Sequence, residues 1–362
     1  MIRAIAAFIL LLVATPALAL EDADYSAAVL STAKSAIIPG YQAFGDAAKE
    51  MQGRLEALCK TPDDGTLKAA QQQFAALTTA WARIQYISFG PIFEHQRAFR
   101  IEYWPDKRNV VGRQLAEVVK KQEHAALAPD RFATTTVGVQ GLPALERMLF
   151  DDDALPALAS GDGGFRCGLF AAISNNLESI ARDVVAGWTE GDTAFLGRIE
   201  HPSEDDEELP SGRDAAGRLL NDLLTATIAM RDMKLLAPLG TSLAKAKGQQ
   251  AEYWRSGQSI AVLIANLEGW RVLFGTDQGL GGMLAAQANG KTVANDVIAT
   301  ADHATRALAE ITLPLDQAVA DAEQRKLVEA FAVQLVKLRD LLAGPVTTTL
   351  NLPVGFNALD GD

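Results

Sequence analysis

The chain has 362 residues, with 33 Lys and Arg against 45 Asp and Glu, and a formal charge of −12. That balance excludes a nucleic-acid binder, whose polyanionic partner requires a basic footprint. An acidic surface is compatible with cation binding, but solubility is the preferred explanation. The length suits one large or two medium domains.

The chain opens with Met-Ile-Arg, an apolar run from Ala4 to Ala14, and Thr15-Pro-Ala-Leu-Ala19. This is the basic region, h-region and Ala17-x-Ala19 cleavage pattern of a secretory signal. Residues 1–19 are therefore expected to be a leader cut after Ala19. No later stretch reaches the roughly 18 uninterrupted apolar residues of a spanning helix, so no transmembrane segment is expected after signal removal. No Cys lies beside the cleavage site to carry a lipid.

Cys59 and Cys167 are the only cysteines. In an exported chain an even pair reads as a disulfide, with two buried free thiols as the alternative. A bridge would close a loop of roughly a hundred residues, worth about 4 to 5 kcal/mol in the chain-entropy model.

From Asp64 onward, Leu67, Ala70, Phe74, Leu77, Trp81 and Ile84 step by three and four, the stripe of an amphipathic helix. Phe170, Ile173, Leu177, Ile180 and Val184 repeat it, as do Val328, Phe331, Leu335, Leu338 and Leu342. β-like alternation is nearly absent. The pattern predicts an all-α protein whose stripes are the seams of antiparallel bundles.

Between the first two stripes, residues 89–109 pack charges and aromatics into a stretch with little helical periodicity. Such loops are costly to order unless they act. Arg100 is expected to offer its planar fork to a carboxylate, Glu146 itself or a bound anion, and Tyr103 and Trp104 to wall a pocket. A salt-bridged structural cap over the bundle explains the same residues.

Residues 200–210, acidic and bounded by Pro202 and Pro210, read as a surface linker. The expected organisation is a leader (1–19), an N-terminal bundle (20–200), the linker (201–210) and a C-terminal bundle with its tail (211–362). A second loop is expected from Pro238 to about Ala251. Ser256 or Gly257 is expected to cap the helix that follows, with its free N–H groups as a weak anion site.

Gly141-Leu-Pro-Ala-Leu-Glu146 resembles the Gly-x-His-x-x-Glu segment of the imelysin family, iron-linked bacterial envelope proteins classed among metallopeptidases. Arg100, Glu102, Trp104, Pro105 and Asp106 match that family's Arg and acidic-Trp-Pro signature. The segments around Cys59 and Arg166-Cys167, and the Gly355-Phe-Asn tail, extend the resemblance over nearly all of the mature chain. It implies two helical bundles resembling four-helix bundles, with the motif facing a cleft between them, in the periplasm. Glu146 stands where the family has Glu, but Pro143 stands where it has His. Proline offers neither a ligand nor a base; it either kinks a helix already running here or occupies an ordinary first turn.

The histidines, His95, His124, His201 and His303, form neither His-Glu-x-x-His nor Glu-x-x-His. The expectation is therefore a non-catalytic periplasmic binding or accessory protein, which the resemblance links to iron acquisition. Its site would consist of Glu146, Arg100, Glu102, Trp104, Asp106 and Gly141. Implied partners are a metal ion or small ligand and other envelope iron-uptake proteins, with iron or another divalent cation as cofactor. The alternatives are a metallopeptidase with carboxylate ligands and a helical scaffold for partner docking; Asp360 and Asp362 of the tail could reach a cation, but a frayed acidic terminus is the commoner case.

Overall fold

The computed structural model describes residues 20–275 and 277–353. The leader and the tail acids Asp360 and Asp362 lie outside the described residues. Helix α1 (Asp22–Thr32) runs through a π-turn (Ala33–Ile37) into α2 (Ile38–Lys60). Asp63 and Thr66 then exchange side chain to backbone hydrogen bonds of 2.8 and 3.2 Å, a reciprocal cap that starts α3 (Asp64–Ala82). Beyond an irregular stretch come α4 (Val110–Lys121), α5 (Leu142–Phe150) and the long α6 (Gly163–Thr189). The second half contributes α7 (Gly212–Ala229), α8 (Ser259–Phe274), α9 (Gly290–Ala309) and α10 (Ala322–Leu341). No strand occurs among the described residues, and the fold is all-α.

The apolar stripes are the buried seams. Phe74, Leu77 and Trp81 on α3, Ile173, Leu177 and Val184 on α6, and Phe331, Leu335 and Leu338 on α10 are all buried. Each such side chain contributes roughly 1.5–3 kcal/mol by leaving water. Helix α2 packs between α3 and α6, α9 packs on α10, and α1 reaches across to α7. That crossing is fixed at its end, where Asp22 accepts hydrogen bonds from the Gly212 and Arg213 N–H groups (2.8 and 2.9 Å) at the start of α7.

Prolines explain the irregular helices. Among the described residues the π-turns are Ala33–Ile37, Met230–Leu236 and Leu342–Val346. Pro39 and Pro238 follow the first two by two residues, and Pro345 lies inside the third. Proline has no N–H to give and its ring crowds the carbonyl four residues back; a widened turn relieves both without ending the helix.

Cys59, near the end of α2, is bonded to Cys167 in the first turns of α6 (Sγ–Sγ 2.02 Å), which resolves the cysteine alternative in favour of a bridge. The stretch 201–210 is more anchored than a solvated linker. Arg198 holds Asp206 through two hydrogen bonds (2.8 and 2.7 Å) and Glu208 through a third (3.0 Å). Glu208 in turn accepts from the Gly90 N–H (3.1 Å), and Leu209 is fully buried. Those carboxylates are committed to a guanidinium, which ties the stretch to the helix before it.

The bridge spans 108 residues. Replacing both cysteines with serine should therefore lower unfolding stability by about 2–5 kcal/mol, measured by urea titration. Unchanged stability would mean that the α2–α6 seam needs no covalent support.

Candidate functional site

A cleft of ≈ 490 Å³ is walled by the segment after Glu102, the first turns of α5, the π-turn after α7 and the loop before α8. Trp104, Asp106 and Glu146 all line it, joined by Arg147, Trp254 and Arg255.

Helix α5 begins at Leu142 with Pro143 in its first turn, where the missing N–H has no intrahelical partner to lose. The kinked alternative is thereby removed. A Cβ on Gly141 would sit 2.1 Å from the Ile101 carbonyl oxygen and 2.4 Å from that of Arg100. Only glycine lets these two backbones touch, so Gly141 sets where Glu146 stands. Pro143 and Glu146, three apart on one helix face, both line the cleft.

Glu146 is 5% exposed. Its Oε1 accepts from the Ser256 N–H (3.0 Å) and the Ser256 hydroxyl (2.8 Å), which leaves the other oxygen for the cleft. Burial raises its pKa, against the two Ser256 hydrogen bonds and the fields of Arg255 and Arg147. Ser256 therefore does not cap α8 as expected from sequence: Gln258 holds the N-cap position without a side-chain cap, and Ser256 is spent on Glu146.

Arg100 does not meet Glu146. Its Nε donates to Gln140 Oε1 (2.8 Å) and its Nη2 to Asn176 Oδ1 (2.5 Å), so it braces α6 from a neutral polar pocket. Its expected partner was wrong because the short helix Arg97–Ile101 stops at Glu102, whose extended backbone (φ −144°, ψ 99°) turns successive side chains apart. Asp106 lines the cleft, but both its oxygens are occupied by the Val110 and Val111 N–H groups (2.6 and 2.9 Å) at the start of α4. This is a helix cap, and it leaves Asp106 a weaker candidate for ligand contact.

Glu102 faces a different, inner space. Its Oε2 accepts from Trp81 Nε1 (2.7 Å) and Gln85 Nε2 (3.0 Å). Burial, then the neighbouring Glu252, push its pKa up to about 8, against Lys234 and the hydroxyl of Tyr253. Tyr253 lies near enough to act on Glu102 without making a hydrogen bond of good geometry. Lys234 Nζ contacts Glu252 Oε2 (2.7 Å), Asn266 Oδ1 (2.7 Å) and Gln85 Oε1 (2.9 Å). Sequence reading missed Lys234, Glu252, Tyr253 and the Glu146 contact of Ser256. The available signal was a lysine and a glutamate embedded in apolar and aromatic runs, Met233-Lys-Leu-Leu and Glu252-Tyr-Trp.

Among the described residues, no group of three or more His, Cys, Asp or Glu side chains is placed to hold a metal ion. Around Glu146 two guanidiniums share the wall, so the residues present do not fit a resident divalent cation. No described helix is long and apolar enough to cross a membrane.

The sequence model of the imelysin family, peptidase family M75, matches residues 37–342. An imelysin-like protein from Psychrobacter arcticum has a similar structure, with TM-score 0.72 at 21% identity over 94% of this chain and 99% of that one. A protein from Parabacteroides distasonis titled as an iron-regulated protein A precursor superposes with TM-score 0.73 at 15% identity, over 91% and 95% of the two chains. At these identities the likeness is one of fold. No curated protein sequence matches.

Two buried acids set a pH dependence. Glu102 is raised from 4.5 to about 8, and Asp222, buried beneath Ser88, from 3.8 to about 7. Between the unfolded and folded values the native state holds protons that the unfolded state has released, so stability falls as pH rises. Their contribution should be complete below about pH 4 and lost by about pH 8. Urea titrations across this range should show a shallower decline in Glu102→Gln; equal slopes would mean that Glu102 is ionised throughout.

Proposed function

Since the chain belongs to the imelysin family, we propose that it is a non-catalytic binding or accessory protein of the bacterial envelope. In this reading residues 1–19 export it to the periplasm. Residues 20–200 and 211–362 form the two bundles that meet at the cleft, with 201–210 between them. The iron connection rests on the family and on the name of one structural neighbour.

The observation that carries the binding role is Glu146, a buried carboxylate with one oxygen held by Ser256 and the other left for a cleft walled by Trp104 and Trp254. Aromatic walls around few polar groups are the usual lining of a small-molecule site. Chemistry finds less support, since Pro143 removes the motif's base and ligand. Arg147 and Arg255 beside Glu146 oppose a bare cation. Iron, as cargo, suits this cleft better as an organic chelate whose anionic groups face Arg147 and Arg255 and whose hydroxyl or ammonium groups donate to Glu146.

The test is a thermal-shift and calorimetric comparison of wild type and Glu146→Gln with ferrous ion, ferric citrate, organic acids and oligosaccharides. Compounds that stabilise wild type should bind Glu146→Gln at least about tenfold more weakly, while its melting temperature without added compound stays close to that of wild type. Chelator-sensitive cleavage of a peptide mixture, lost in Glu146→Gln, would establish the metallopeptidase alternative. Absence of any stabilising compound would favour a partner-docking scaffold.

A further inference from the structure

Behind the cleft lies a second cavity of ≈ 160 Å³, and Trp104 and Met233 line both spaces. Exposed Phe99 marks its mouth, while Trp81 and Tyr86 give it aromatic walls. Its most buried polar lining residues are Glu102 and Lys234, 8% and 2% exposed.

The charges at this floor cancel only while Glu102 holds a proton. Lys234 is matched by Glu252 at 2.7 Å, and its remaining donors go to Gln85 and Asn266. Glu102 is hydrogen-bonded only by the neutral groups of Trp81 and Gln85, and Arg100, two residues away, is engaged by Gln140 and Asn176. Glu102 Oε1 and the hydroxyls of Tyr86 and Tyr253 are buried without a hydrogen bond of good geometry, although the Tyr253 hydroxyl lies near Glu102. A carboxylate in this position calls for a proton or a cationic partner.

We propose that this inner cavity binds a small organic ammonium ion, with Glu102 as its counter-charge and Trp81, Tyr86 and Trp104 as the aromatic walls. Rings around a carboxylate are the arrangement that recognises alkylated ammonium, through attraction to the ring faces and cheap desolvation of the cation. At roughly 30 Å³ per water, the space holds on the order of five small heavy atoms, the size of a methylated ammonium or a short alkylamine. The site is separate from the Glu146 cleft and does not depend on the function proposed for it.

Binding is coupled to a proton. Facing Glu102 are Glu252, Lys234, Tyr253 and Tyr86, and with its pKa held at about 8 by burial and Glu252, Glu102 carries a proton near neutrality. An entering cation ionises Glu102 and expels that proton to solvent. A quaternary ammonium has no proton of its own, so its affinity should rise about tenfold from pH 7 to pH 9.

The experiment is isothermal titration of the mature protein with tetramethylammonium chloride at pH 7 and 9, in buffers of different ionisation enthalpy, with potassium chloride as control. Wild type and Glu146→Gln should bind, about tenfold tighter at pH 9 and with release of close to one proton at pH 7. Glu102→Gln, which keeps an acceptor for Trp81, should not bind, with circular dichroism checking its fold. No binding to wild type, equal binding to Glu102→Gln, equal competition by potassium, or loss of binding in Glu146→Gln alone would each overturn the assignment.

Discussion

The Lys234 ammonium is the interaction from which the rest of the site follows. It is 2% exposed and reaches acceptors on three separate segments: Gln85 just after α3, Asn266 on α8, and Glu252 in the loop before α8. Removing such a charge would leave Glu252 buried without compensation, a loss of roughly 3–5 kcal/mol for a broken buried pair. Asn266 extends the hold to the Ala82 carbonyl (2.6 Å) and to Gln85 (2.7 Å). With α3, α8 and the loop fixed together, Ser256 sits where it can grip Glu146 from the opposite wall. The carboxylate of the motif is thus positioned by a charge that lies outside the motif.

How much of this was legible depended on the range over which each force acts. The helical seams follow from apolar residues spaced three and four apart, a local pattern, and the buried Phe74, Ile173 and Phe331 lie on those stripes. Glu146 and Trp104 were legible as parts of a motif, and both line the cleft. The partners of Lys234 were not legible, because Gln85 is 149 positions distant; the apolar run around Lys234 hints at burial but not at what the lysine meets. Arg100 and Glu102, read as one polar wall, diverge because a helix ends between them and the chain turns extended.

The cleft also departs from the charge of the whole molecule. The chain is formally −12, yet Lys107, Arg147 and Arg255 all line this space. Arg255 bonds Asp151 at 3.1 Å, and Arg147 approaches the same carboxylate at 3.9 Å. Asp106, Glu146 and Asp232 line the same space, so acids and bases are equal in number there and the charge excess of the whole chain is not carried into the cleft. Such a local balance lets an anionic group approach the guanidiniums here while the bulk surface repels it elsewhere.

The π-turn at Ala33–Ile37 has a consequence for how the N-terminal helix can vary. Upstream, α1 faces α7; downstream, α2 faces α3 and α6. Each residue of an α-helix advances the azimuth by about 100°, so the inserted residue is a phase shift that lets one continuous rod address two differently oriented seams. Deleting a single residue there would scarcely shorten the rod, but it would rotate one seam out of register with the other. Length changes in this segment are therefore constrained by rotation more than by distance, and an ungapped comparison with a regular helix would assign every position of α2 to the wrong face.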